Sequence, residues 1–172
     1  MTGFLRFVGL LNAAVWCGSS IFLAIALPAL FSPGLKRLLT DAGVGFAAAY
    51  IVARYFIVQY CCGAIALAHL VADWFYFGRK VPRLDAALVA TVLSIALLGG
   101  LWAQPKMRAL HIAKYYGKTV EIQAHAARSF GLWHGFSETI SVIAIACLIC
   151  YLWRVGKMQD PPRFVSFSKM RG

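Results

Sequence analysis

Long apolar runs alternate with short breaks rich in proline, glycine and charge along this chain. Four runs, at about 4–31, 45–77, 84–103 and 130–153, reach the roughly 20 residues that a helix rising 1.5 Å per residue needs to cross about 30 Å of hydrocarbon. Pro28 and the Ser32-Pro33-Gly34 sequence end the first run, Gly78 to Pro82 separates the second from the third, and Pro105 marks the end of the third. Strand-like alternation is absent, and lipid offers no water to unpaired backbone groups, so every run is expected to be a closed helix. The predicted fold is an all-α integral membrane protein, a single domain of four transmembrane helices in an up-down bundle.

Residues 106–128, KMRALHIAKYYGKTVEIQAHAAR, set apolar Met107, Leu110, Ile112 and Tyr115 among Lys106, Arg108, Lys114 and Lys118. That mixture predicts an interfacial helical segment between the third and fourth spans, with its bases toward headgroups. The tail, 154–172, is basic and broken by prolines.

Composition agrees with the pattern. The 172 residues are 61% hydrophobic and 13% charged, where soluble domains carry about a quarter charged residues. Seventeen Lys and Arg against six acids give a net charge of +11, and most of the bases flank apolar runs. The expected partners are therefore the lipid bilayer and its anionic headgroups, and no nucleic acid. All five cysteines (17, 61, 62, 147 and 150) lie within apolar runs, which excludes a secreted disulfide framework. Cys147 and Cys150 are spaced as C-x-x-C, but on a membrane helix they are expected to pack rather than to exchange electrons.

Arg6 followed by FVGLLNAAVWC resembles a secretory leader. Trp16 is too large for the position before a processed Cys17, and the run continues to Phe31, so a retained span is expected. Four spans put both termini on one side. The bases of the 78–83 turn (Arg79, Lys80, Arg83) and of the tail favour placing that side in the cytoplasm, the membrane expected being a bacterial inner membrane.

Ionisable groups at membrane depth are costly and normally face the bundle interior. At 100° per residue, His134, Ser137, Glu138 and Ser141 form one stripe on the fourth span. Tyr55, Gln59, Cys62, His69 and Asp73 form another on the second, and Asn12, Trp16 and Ser19 share a face of the first. Two His-to-acid pairs stand at i, i+4, His69 with Asp73 and His134 with Glu138. Such a pair can hold or pass a proton, or it can simply satisfy its histidine and glue helices together.

The second and fourth spans run in the same direction, so depths compare directly. His69 lies about 15 Å from His134 along the membrane normal by residue count, which argues against a shared haem or metal. An outer cluster of His134, Glu138, Ser137, Arg54 and Gln59 is expected, with Arg54 as charge partner of Glu138. An inner cluster of His69, Asp73, Asn12 and Trp16 is expected at the other level. His111 and His125 are expected to be solvated interfacial side chains, too few for a metal site. Ser137, three residues from His134 on the same helix, is poorly placed as a nucleophile.

The chain resembles the transmembrane-protein-205-like family of small four-span membrane proteins. The resemblance rests on VWCGSSIFLAIALPALF in the first span (Trp16, Gly18, Pro28, Phe31), QPKMR after the third (Pro105, Arg108) and FGLWHGFS opening the fourth (Phe130, His134, Ser137). It implies a four-helix integral membrane protein and supplies no catalytic residues; Asp73 and Glu138 have no assigned place in it. A fainter likeness to copper-resistance membrane proteins is weakened by the methionines, at 1, 107, 158 and 170, none in a span.

The function expected is a transport-like or accessory role, with the polar stripes of the second and fourth spans facing each other. The alternatives are a structural subunit of a larger membrane complex and a haem- or metal-binding redox subunit. Neither enzymatic activity, a metal nor a cofactor is called for. A small-residue track at Gly45, Ala49 and Ala53 could admit another helix, from a second copy or another subunit.

Overall fold

The computed structural model describes residues 2–77 and 82–157; the 78–81 turn and the tail beyond 157, with their bases, lie outside the described residues. Six α-helices follow in order: α1 (Thr2–Ala29), α2 (Pro33–Leu38), α3 (Asp41–Phe77), α4 (Arg83–Leu98), α5 (Gln104–Tyr116) and α6 (Val120–Gly156), with a short π-helical segment, Gly99–Ala103, joining α4 to α5. Among the described residues there is no strand. Four apolar helical stretches are long enough to cross a membrane: Gly3–Ala29, Asp41–Phe75, Arg83–Tyr116 and Val120–Gly156.

The bundle is a square. α1 packs on α3 and α6, α4 packs on the same two, and α3 and α6 stand at diagonal corners. The start of α1 and the end of α6 lie at the same end, Leu10 beside Gly156. Trp16 and Tyr151 meet edge to face at 6.4 Å, and with Ala66, Val89, Val92 and Leu148 they fill the interior. Large apolar residues such as Phe22, Ile25, Phe75 and Val142 cover the outside, the distribution expected where lipid replaces water.

The last expected break of the third span does not occur. The helix runs through Pro105, and the π segment lies just before it, with the Gln104 N–H bonding back to the Gly99 carbonyl. A proline inside a helix has no N–H and its ring crowds the carbonyl four residues back; widening the preceding turn relieves that conflict without ending the helix. The glycines of that turn admit α3 closely. A Cβ on Gly99 would come 2.9 Å from the Phe56 ring, and one on Gly100 would strike the Tyr60 hydroxyl.

The segment between the third and fourth spans is helical, as its pattern predicts, but it is shared between its neighbours. Residues 104–116 prolong the third helix, Gly117 turns the chain, Thr119 caps the next helix by accepting from the Ile122 N–H at 3.3 Å, and 120–128 open α6. α3 and α6 have 37 residues each, about 55 Å, well beyond the 40–45 Å or so of a whole bilayer. The surplus lies at the loop end, where α5 is held between the first turns of α3 and of α6. These three helix ends make a knob that stands on the bundle.

His111 pins the knob. It is 7% exposed, not solvated as expected from sequence. Its Nε2 lies 3.1 Å from the Ala42 carbonyl, and Phe46, Tyr115 and Phe130 surround the ring at 4.9–5.9 Å. The ring occupies the space over Gly45, where any Cβ would overlap it. Two of the three positions of the Gly45, Ala49 and Ala53 track are thus taken up inside the protein: His111 covers Gly45, and the Gln104 amide donates to the Ala49 carbonyl at 3.4 Å.

Gly45→Val is expected to destabilise the knob by about 1–3 kcal/mol, the usual cost of overpacking. Thermal unfolding in detergent should show the loss. His111→Ala in the same background should recover part of it, because the cavity accepts the new methyl groups.

Candidate functional site

The intramembrane polar groups form a seam between α1 and α3. The Trp16 indole N–H donates to Gln59 Oε1 at 2.5 Å, and Gln59 Nε2 donates to Ser20 Oγ at 3.1 Å. The Tyr55 hydroxyl donates to the same Ser20 oxygen at 3.1 Å, while Ser20 donates to the Trp16 carbonyl at 2.9 Å. One turn nearer the chain ends, Asn12 donates from Nδ2 to the Cys62 carbonyl at 3.0 Å. Asn12, Trp16, Ser20 and Gln59 are all buried. Antiparallel helices bring such residues together when their numbers sum to a nearly constant value, here 74 or 75. Pairs 12/62, 16/59 and 20/55 obey this rule, which is why scattered polar residues on two spans meet as a ladder.

Further down the seam, His69 lies over Gly9, whose missing Cβ would come 2.5 Å from Nε2. That nitrogen is 3.1 Å from the Leu5 carbonyl, and Nδ1 is 3.8 Å from Asp73. The four members of the expected inner cluster do line one interface, but not at one level. Asn12 and Trp16 stand seven to ten residues of α3 above His69, on the order of 10–15 Å.

The expected outer cluster is not assembled. His134 and Glu138 pair with each other at 3.2 Å, their side chains 48% and 69% exposed on the outside of α6. Ser137 accepts at its carbonyl from the Ser141 hydroxyl at 2.8 Å. Gln59 belongs to the seam, and Arg54 donates to the Tyr50 hydroxyl at 3.0 Å with its guanidinium over that ring. Arg54 therefore does not meet Glu138. The reason is the square: α3 and α6 are diagonal, so their polar stripes cannot face each other, and the α6 stripe faces outward.

Depths follow from the packing. Arg154 in the last turn of α6 pairs with Asp85 in the first turn of α4, close to the level of Asn12 and Cys62, since Leu10 stands beside Gly156 and Trp16 against Tyr151. Sequence reasoning missed this pair, although an acid opening one span and a base closing its antiparallel neighbour were signal enough. Twenty residues up α6 from Arg154 is His134, about 30 Å away. Trp102 and Trp133 cross at 5.0 Å there, and Lys106 Nζ lies 4.4 Å from the Trp133 ring, the aromatic and basic belt of a membrane border. His69 lies about 10 Å below the level of Arg154 and His134 about 30 Å above it, so the two are on the order of 40 Å apart in depth, more than twice the separation expected, and on diagonal helices, so they cannot share a ligand.

A square bundle of four apolar helices with satisfied polar groups inside and an aromatic and basic belt near Trp133 defines a small helical membrane protein. The chain belongs to the DUF4149 family, described as a domain of unknown function, whose family model matches residues 11–115. The match takes in the seam from Asn12 to Asp73 but not Leu5 and Gly9, and also α4 and His111; His134 and Glu138 lie beyond it. No curated protein and no solved structure matches the chain.

Gln59→Leu is expected to cost about 1–3 kcal/mol, since it strands the Trp16 indole N–H in an apolar interior. Glu138→Gln, on an exposed side chain, should change stability by less than about 0.5 kcal/mol. Unfolding of both variants in mixed micelles compares them directly; equal losses would mean that the seam is no stronger than the surface pair.

Proposed function

We propose that this protein is a non-catalytic accessory factor: a rigid four-helix anchor that holds its knob at the headgroup border. The observation that carries this is the filled interior. Trp16 and Tyr151 occupy the middle of the bundle and the α1–α3 polar groups are spent on one another, so the polar residues serve cohesion rather than a path. Lys106 and Arg108 on α5 and Arg128 early in α6 put basic residues on the knob, suited to anionic headgroups. The likeness to the transmembrane-protein-205-like family fits a small four-span protein of this kind.

A transport-like role draws support from one observation, the formation of both His-to-acid pairs. The two readings differ in what purified protein does in vesicles. The accessory reading expects proton flux no greater than in protein-free vesicles, measured with an entrapped pH dye under an imposed gradient. Flux above that level, lowered together by Asp73→Asn and Glu138→Gln, would establish transport in its place.

A further inference from the structure

At the membrane border a lysine rests on the rings of two spans. Lys106 Nζ lies 4.4 Å from the Trp133 ring of α6 and 5.3 Å from the Trp102 ring of the π segment. The two indoles cross at 5.0 Å, and Phe136 meets Trp133 edge to face at 6.0 Å. Indole faces attract an ammonium through their ring electrons. The rings therefore hold in one place a charge that would otherwise swing on a flexible four-carbon stem.

The rings supply no oxygen. An ammonium carries three N–H donors and no acceptor, so its outward side needs an anion or water. Among the described residues no carboxylate pairs with Lys106; the ion pairs there use Lys36, His69, His134 and Arg154. Lys106 is exposed, and so is Arg108 two residues along. The other bases held by aromatic rings are differently placed. Arg54 donates to the hydroxyl of the Tyr50 ring it covers, Lys114 is half-buried within the knob, and Lys157 rests on a ring of its own helix. On the bundle side of Lys106, Leu98, Leu101 and Phe136 are exposed, an apolar surface for acyl chains to cover.

We infer that Lys106, seated on Trp102 and Trp133, binds the phosphate of an anionic phospholipid. The occupant is a lipid because the ammonium stands at the aromatic belt, with exposed apolar side chains toward the bundle and bases toward the knob. It is an anionic lipid because a zwitterionic headgroup brings an ammonium of its own. That second cation is repelled by Lys106 and Arg108, and the two indoles that could attract it already face Lys106. The inference deepens the headgroup reading above and rests on it.

The test uses the full chain with Trp74 and Trp153 changed to Phe, which leaves Trp102 and Trp133 as the indoles that lipid can reach, Trp16 being buried. In phosphatidylcholine vesicles, phosphatidylglycerol with brominated chains should quench the fluorescence at lower mole fraction than brominated phosphatidylcholine does. Lys106→Gln should weaken that preference about fivefold, the roughly 1 kcal/mol that one lysine contributes at an anionic surface, with the helical circular dichroism unchanged. Lys106→Arg, which keeps a cation over the rings, should retain the preference, and so should Lys118→Gln at the far end of the knob. The inference is overturned if the parent shows no preference or if Lys106→Gln keeps it in full. It is also overturned if millimolar inorganic phosphate abolishes the preference, the mark of a soluble-anion site. Proton flux is read separately, so an anchor without this site and a transporter that has it give different results.

Discussion

An indole N–H in the middle of a bilayer must find an acceptor within the protein, and here the acceptor is the Gln59 side chain at 2.5 Å. Much of the architecture follows from that bond. Gln59 carries its own N–H groups, which need Ser20, and Ser20 must also take the Tyr55 hydroxyl. Closing this circuit brings α1 and α3 together in one register, since sliding either helix by a turn would open every bond at once. Each bond is worth little by itself, on the order of 0.6 kcal/mol in membrane proteins. Leaving any of the groups alone in an apolar interior costs more, so the register is specified chiefly by what misalignment would strand.

With that seam fixed, the other corners are placed by volume. The Trp16 ring, anchored by its N–H, presents its body to Tyr151 and so sets the distance of α6 from α1. Gly63, with Leu93 against it, and the glycine pair of the π segment, with Phe56 and Tyr60 against it, bring α4 onto the other side of α3. The Asp85–Arg154 pair ties α4 to α6 one turn beyond Tyr151, toward the chain ends. α3 and α6 are left diagonal. This geometry turns the His134–Glu138 stripe outward and makes it a surface feature, although its residue spacing resembles that of the buried stripe on α3.

The knob shows how a local conflict can extend a structure. Proline at 105 would end a helix in water, where a broken backbone bond is readily resolvated. Near a membrane border with α3 alongside, the widened turn at Gly99–Ala103 keeps the chain helical for thirteen further residues. Those residues carry His111 to the one place, above Gly45, where an imidazole fits and finds the Ala42 carbonyl.

The hydrophobic pattern alone determined that four helices cross a membrane and that the chain ends of the bundle share a side, because an apolar run of this length has no other way to satisfy its backbone in lipid. It also determined the two i, i+4 pairs, since a helix places His69 by Asp73 and His134 by Glu138 whatever surrounds it. Tertiary structure decided the rest. Which helices are neighbours and which diagonal is a matter of side-chain volume and polar matching across 40 residues and more, and periodicity within one helix carries no such information. Hence Gln59 joined Trp16 rather than His134, Arg54 stayed with Tyr50, and His111, polar in a polar stretch, became a core residue.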